Sequence, residues 1–313
     1  MMLKIALQMD EIQNIDIRGD SSFALALEAA DRGYEIFIYH PDNMAYIPGA
    51  GVTATGKWVQ VRDDANNHVN VLSEARIDLT ELDVILMRQD PPFDMHYITA
   101  TYLLETIMDK VLVVNHPASV RNAPEKLVAT QFHELMPPTL ITSDISEIKA
   151  FRAEYENIIV KPLYGNGGSG VFHMKPEDTN LSSLIETMLL IDRSPLMIQQ
   201  YLPAVSQGDK RVIMIDGVAA GAVNRVPAKG EARSNLHVGG KAERSDLDDK
   251  DLRIADAIGS FLKEKDLLFC GIDVIGGYLT EINVTSPTGL REIKTLSGID
   301  LAVNIWDSIT SKL

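Results

Sequence analysis

Along the first third of the chain, short apolar runs rich in β-branched residues alternate with stretches of helical period. Leu3 to Met9 reads as a buried strand, Ser21 to Arg32 as a helix with Asp20 or Ser21 as N-cap and Gly33 closing it, and Glu35 to Tyr39 as a second strand. Asp42 to Asn70 reads as a less regular section with a hairpin around Gly56. A strand at Val84 to Met87, a helix near His96 to Lys110 and a strand at Val111 to Val114 then resume the alternation. This order predicts a parallel sheet with helices on both faces, closing a first α/β domain near residue 120. Ligands of such sheets lie beyond the carboxyl ends of the strands. Those ends carry Met9-Asp10, Arg88 to Asp94, and Asn115-His116-Pro117. Pro137-Pro138 marks the next boundary, followed by a strand, a helix with an Asp144-x-x-Glu147 capping box, and a strand at Ile158 to Val160. Together these form a small α+β unit from Ala123 to about Gln200. The last third holds two strands around Asp216-Gly217, a helix from Asp248 to Lys265, a hairpin from Cys270 to Val284 and a closing helix. Between them Val226 to Lys241 is polar and lacks apolar period, which suits a loop that closes over a site.

Composition narrows the class. A chain of 313 residues with 45% hydrophobic content can build several subdomains around a sizeable core. A formal charge of -15 argues against nucleic-acid or anionic membrane binding, so an anionic substrate needs a local basic cluster. The lone Cys270 excludes an intramolecular disulfide, and its apolar neighbours mark it as a buried small hydrophobe. The opening Met1 to Ile5 is too short an apolar run for a signal segment, and no run reaches membrane-spanning length, so a soluble, cytoplasmic protein is expected.

Asn157 to Met174, NIIVKPLYGNGGSGVFHM, reads as strand, glycine-rich loop and strand, with Lys161 at the rim. Gly165, Asn166, Gly167, Gly168, Ser169 and Gly170 leave backbone N–H groups free to wrap an anion, beside the point charge of the lysine. Gly165, Gly167 and Gly170 also fit G-x-G-x-x-G spacing, but a dinucleotide turn opens a helix, whereas Val171 to Met174 is β-leaning and followed by Lys175-Pro176. No Gly-Lys-Ser/Thr follows, which excludes a P-loop. The loop therefore reads as a hairpin tip lying over nucleotide phosphates.

Phe269 to Asn283 has the grammar of a hairpin with a Gly276-Gly277 turn. Glu281 and Asn283, two residues apart, share a face. A strict two-residue turn would leave Asp273 on the opposite face, whereas a three-residue loop or glycine bulge sets it across from Glu281, and the bulge is expected. Two carboxylates and an amide oxygen then suit Mg2+ held jointly with substrate phosphates. Lys126, Lys161, Lys210, Arg211, Arg225, Arg233 and Arg291 fall at predicted strand ends or loops near this site. An arginine there would stabilise developing oxyanion charge.

The order Lys126, Lys161 before the Gly/Ser loop, Gln199-Gln200-Tyr201-Leu202, then Asp273, Glu281 and Asn283 resembles the ATP-grasp superfamily. The segments DSSFALALEAADRGYE, DVILMRQDPPFD, ATYLLE, GDKRV and LTEINVTSPTGLREI resemble the prokaryotic glutathione synthetase family over essentially the whole chain. The resemblance implies an ATP-grasp fold with an N-terminal doubly wound α/β domain (1–122), a central lid domain (123–202) and a C-terminal domain (203–313) that carries the metal site and the flexible loop 226–241. It implies an ATP-dependent ligase joining γ-glutamylcysteine and glycine through an acyl phosphate. Lys126, Lys161 and the 165–170 loop would contact ATP phosphates, Gln200, Tyr201 and Leu202 the adenine, and Asp209 the ribose. Asp273, Glu281 and Asn283 would hold two Mg2+ ions, with Mn2+ as the alternative metal, and Arg211 and Arg225 would be catalytic. Arg18, Ser21, Arg88, Arg233, Ser286, Thr288, Gly289, Arg291 and Glu292 would serve the dipeptide and glycine. The family also implies a homotetramer, with a dimer as the alternative. Competing expectations are another ATP-grasp carboxylate–amine ligase, separated by swapping acceptors, and a non-catalytic ATP-binding module of the synapsin kind, against which the complete metal set speaks.

Overall fold

A computed structural model describes residues 2–228, 233–234 and 239–313. In the first unit the strands β1 (Lys4–Gln8), β2 (Glu35–Tyr39), β6 (Val84–Met87) and β7 (Leu112–Val114) pair in parallel in the order β2-β1-β6-β7. Their near-continuous burial is what a sheet covered on both faces demands. The connecting helices are α1 (Ser21–Asp31), whose N-cap Asp20 accepts from Phe23 N at 2.6 Å, and α2 (Met95–Glu105). The second helix stops short of the expected Lys110; just past its end Thr106 donates its hydroxyl to Leu103 O at 2.7 Å, a local bond that competes with further helical turns.

The section expected to be irregular is the most regular antiparallel part of this sheet. It consists of β3 (Met44–Ile47), β4 (Gly51–Val61) and β5 (Val69–Asp78), with β4 pairing antiparallel to β2. The turn lies between β4 and β5, and Gly56 is in mid-strand. A Cβ there would stand 2.4 Å from Ile38 O and 2.7 Å from Phe37 Cζ. Gly56 thus marks a close approach of two strands, not a reversal.

After α3 (Pro117–Arg121) and α4 (Glu125–Ala129) comes an antiparallel sheet of β8 (Thr139–Thr142), β9 (Ile158–Pro162), β10 (Phe172–Met174) and β11 (Leu196–Gln200), in the order β10-β9-β11-β8. The helices α5 (Ile145–Tyr155) and α6 (Leu181–Ile191) close its core, where Ile148, Val160, Ile185 and Ile198 meet. Asp144 caps α5 by accepting from Ser146 N at 2.8 Å, without the expected box to Glu147. The reciprocal box forms instead at Asp248 and Asp251, at the start of α7 (Asp249–Glu264).

The third sheet runs β14-β13-β12-β15-β16, from β12 (Asp209–Ile215), β13 (Val218–Val226), β14 (Lys241–Ser245), β15 (Phe269–Ile275) and β16 (Tyr278–Asn283). Period two sorts its residues: Val212, Met214 and Ala222 join the core of α7, while Ile213, Ile215 and Val223 join that of two closing helices, α8 (Leu290–Ser297) and α9 (Leu301–Thr310). Gly298 in the left-handed region separates those two helices, where one was expected. Docking to the first unit is polar as well as apolar. Trp306 Nε1 donates to Leu25 O at 2.9 Å, and Asn115 Nδ2 donates to Phe269 O and Val284 O at 2.8 and 3.0 Å.

Candidate active site

Two adjacent rows of side chains on one face of the third sheet organise the site. The Gly276-Gly277 turn pairs Ile275 with Tyr278 and Val274 with Leu279; the register then shifts, and Asp273 faces Glu281. The expected bulge exists, but its extra residue is Thr280 and not a glycine. Thr280 donates its hydroxyl to Asp273 O at 3.1 Å, which pins the irregularity. On the next strand Arg211 pairs across from Asp273, and beyond it Asp209 pairs across from Arg225. Acids and arginines therefore lie side by side on one face. Arg211 Nε lies 2.5 Å and Nη2 3.0 Å from the two Asp273 oxygens, while Arg225 Nη2 reaches Asp273 at 3.0 Å and Asp209 at 2.7 Å. Above the far end, α4 lowers Lys126 to 2.8 Å from Glu281 Oε1, and the same ammonium donates to Gly165 O of the glycine loop.

Two cavities meet over this face. The first, of about 140 Å3, is lined by Lys126, Lys161, Gly165 to Ser169, Gln200 to Leu202, Asp209, Asp273 and Glu281. The second is an open cleft of about 1160 Å3 at the carboxyl ends of the parallel strands, bounded by Arg18, Ser21, Arg88, Arg211, Arg225 and Asn283. Asn166, Gly167 and Glu281 belong to both, so the loop tip and one carboxylate form the shared wall. The loop's bend uses Gly167, Gly168 and Gly170, with φ of 60°, 78° and 70°.

Burial and charge oppose each other throughout. Burial disfavours an ionised Asp273, yet Arg211 and Arg225 outweigh it and hold the carboxyl well below the usual range. Burial likewise acts against a charged Lys126, but Glu281 prevails and raises its pKa. Lys161 has no such compensation: burial pushes it down to about 8 despite Glu281.

The chemistry of Asp273, Glu281 and Asn283 fits a hard divalent cation: all offer oxygen from one face, and Asn283 Nδ2 is buried without a partner, so the fold does not claim this side chain. Among the described residues no three His, Cys, Asp or Glu side chains converge, and the third donor is this amide. The two carboxylates are answered by Lys126, Arg211 and Arg225, which leaves the face near charge balance.

Most other residues singled out in the sequence line these cavities, with informative exceptions. Ser286, Thr288, Gly289 and Glu292 border the second cleft. Arg88 is buried there, donating to Ser22 Oγ and Pro287 O at 3.0 Å each, with Nη1 unpartnered. Arg18 lies on the rim, its side chain 82% exposed and paired with Asp16 at 2.7 Å. Arg233 borders the first cavity and not the second cleft. Arg291 lines neither; it grips Asp63 at 2.7 and 3.0 Å, fastening α8 to the turn after β4. Lys210 is also a correction: strand alternation sends it to the opposite face from Arg211, where Asp251 and Asp248 hold it at 2.5 and 3.1 Å. Half of the polar loop 226–241, residues 229–232 and 235–238, lies outside the described residues. Of it, Ser234 donates to Asp209 Oδ2 at 2.8 Å.

Two residues were not anticipated. Glu125, next to Lys126, accepts from Val284 N, Thr285 N and Thr285 Oγ1, tying α4 to the end of β16. His173 stacks on Tyr201 with centroids 3.9 Å apart and planes 13° apart. The position of Glu125 beside Lys126 was its one sequence cue; nothing local marks His173.

The sequence profile of the prokaryotic glutathione synthetase N-terminal domain matches residues 3–121, and that of the family's ATP-grasp domain matches residues 125–298. The chain belongs to the prokaryotic glutathione synthetase family. It is 53% identical over 312 residues to a glutathione synthetase of Mesorhizobium japonicum, covering 100% of this chain and 99% of that one. It is 52% identical to one from Brucella melitensis, covering 100% of both chains. Among solved structures, D-cycloserine synthetase DcsG aligns with a TM-score of 0.69 at 16% identity, covering 99% of each chain. A RimK domain ATP-grasp protein from Sphaerobacter thermophilus gives 0.63 at 17%, covering 97% of this chain and 98% of that one. These two likenesses speak for the ATP-grasp fold alone.

Proposed function

We propose that this family member joins γ-glutamylcysteine to glycine where the two cavities meet, cleaving ATP to ADP and phosphate. The observation that carries this reading is the charged face formed by Arg211, Asp273 and Glu281 in one row and Asp209 and Arg225 in the next, lying beneath a glycine loop where a smaller cavity meets an open cleft. A carboxylate is a poor electrophile. Transfer of the γ-phosphoryl group to the dipeptide's carboxylate oxygen breaks the bond to the bridging oxygen of ADP and gives an acyl phosphate. The glycine amine then attacks the carbonyl carbon, phosphate leaves with the C–O bonding pair, and the amine loses a proton. No side-chain nucleophile is needed; positioning and charge neutralisation suffice.

In this assignment Lys126, Lys161 and the 165–170 loop hold phosphates, Gln200 to Leu202 border the adenine, and Asp209 lies toward the ribose. Arg211 and Arg225 stabilise the transferring phosphoryl group and the tetrahedral oxyanion. Asp273, Glu281 and Asn283 hold two Mg2+ ions, or Mn2+ in their place, which when bound would spread the charge of the phosphates. Arg88, Ser286, Thr288, Gly289 and Glu292 receive the dipeptide and glycine. Residues 1–122, 123–202 and 203–313 act as acceptor, lid and metal-bearing domains, the loop 226–241 excludes water, and the enzyme works as a cytoplasmic homotetramer.

Oxygen-18 in the cysteinyl carboxylate of the dipeptide tests the chemistry. One labelled oxygen should appear in the inorganic phosphate released. Unlabelled phosphate alongside tripeptide would rule out the acyl-phosphate route.

A further inference from the structure

The segment from Arg88 to Asp94 connects the acceptor cleft to the base of the glycine loop. Its start is fixed by Arg88 N donating to Gln8 O at 2.8 Å, and its end by Asp94, the N-cap of α2, accepting from Tyr97 N at 3.0 Å. Between these anchors Arg88, Asp90 and Pro91 face the acceptor cleft. Phe93 turns the other way. It packs on Tyr97, which is 1% exposed, with centroids 5.3 Å apart, and presents its outer face to Tyr164, stacked at 6.4 Å and 22°. Tyr164 immediately precedes Gly165 and is 38% exposed. Beyond it, the loop tip is the wall shared by both cavities. A rigid aromatic post thus meets the foot of a glycine-hinged flap.

Resting on the ligase reading above, we infer that Phe93 and Tyr164 are positioning residues that couple occupancy of the acceptor cleft to closure of the glycine loop over ATP. A dipeptide engaging Arg88, whose Nη1 is an unspent buried donor, braces the 88–94 segment. The braced Phe93 then holds Tyr164 and the loop down on the phosphates. Closure before the acceptor arrives is disfavoured, and the acyl phosphate is covered once formed. If the clasp is lost, water reaches the acyl phosphate, returning dipeptide and phosphate with ADP already made. The side chains touch no reacting atom; their effect passes through the loop.

The test compares wild type with Tyr164→Ala and Tyr164→Phe, measuring ATP affinity with and without γ-glutamylcysteine and the ratio of ADP to tripeptide under full turnover. In wild type the dipeptide should tighten ATP at least about five-fold, within the usual span of site-to-site coupling, with equal ADP and tripeptide. Tyr164→Ala should lose most of that tightening and release ADP in excess of tripeptide, with KM for ATP rising more than kcat falls. Tyr164→Phe, which keeps the ring, should restore both. The proposal is overturned if wild type shows no tightening, or if Tyr164→Ala matches wild type in both readouts. It is also overturned if the alanine and phenylalanine variants behave alike. Those results leave the ligase reading standing when wild type makes tripeptide; ADP without tripeptide in wild type removes both.

Discussion

Glu281 is the residue on which most of the site converges: it faces Asp273 across the strand pair, meets Lys126 at 2.8 Å and lies in both cavity walls. Glu281→Gln removes one charge while keeping the shape. Loss of its pairing with Lys126 is offset by relief at Glu125, whose carboxyl is pushed upward first by burial and next by Glu281 itself. Turnover should fall by about 10²–10³-fold or more, the scale of a lost charge-stabilising group. The melting temperature should move by only about 2–4 °C, equivalent to about 1 kcal/mol; a collapse of thermal stability would mark Glu281 as structural. Lys161 makes a prediction in pH. Because burial lowers it to about 8, it carries charge below that pH and loses it above, so ATP affinity of the free protein should fall as pH rises through about 8. The stability sign is the reverse: charging Lys161 in the fold is a penalty present in full below about 8 and absent above its ordinary 10.5. Nucleotide titrations across that range check this, and Lys161→Arg should flatten the profile.

At the scale of elements, the chemistry-bearing residues were legible because their types and spacings state their use: Gly and Ser with a lysine, two acids with an amide. What hid was register. Lys210 and Arg211 are adjacent, and only strand alternation decides which joins the site. The hairpin's bulge was inferable from the need to face Asp273 with Glu281, but its place at Thr280 depends on a hydroxyl finding Asp273 O, a contact no pattern announces. Gly56 misled for a related reason. Glycine usually punctuates chains at turns, and here it is required by the 2.4 Å approach of Ile38 O to where a Cβ would stand. Gly56→Ala should therefore destabilise by about 1–3 kcal/mol, as overpacking does, read as a lower denaturant midpoint at unchanged slope. An unchanged midpoint would mean the two strands can separate freely at that point.

On the scale of the whole molecule, the site exists only because the first and third units are docked, with the parallel sheet's strand ends supplying one cleft wall and the five-stranded sheet its floor. Asn115 stitches them, donating twice to backbone carbonyls and accepting from Phe269 N at 2.8 Å. It stood out in the sequence as a strand-end residue beside a ligand site, and the structure spends it on docking. Asn115→Ala strands three buried backbone groups and should cost about 2–4 kcal/mol, measured by chemical denaturation. A loss under about 0.5 kcal/mol, within the range of ordinary surface substitutions, would show that the two units hold together without it. In the proposed reaction the charged face beneath the glycine loop makes one peptide bond for each ATP cleaved. Its most direct measurement is the yield of ADP and tripeptide from Mg-ATP, glycine and γ-glutamylcysteine, repeated with other dipeptide and amino-acid acceptors. ADP and tripeptide should appear in equal amounts with γ-glutamylcysteine, with little ADP in its absence; ADP released without tripeptide, or equal turnover on an unrelated acceptor, would rule out that role for the site.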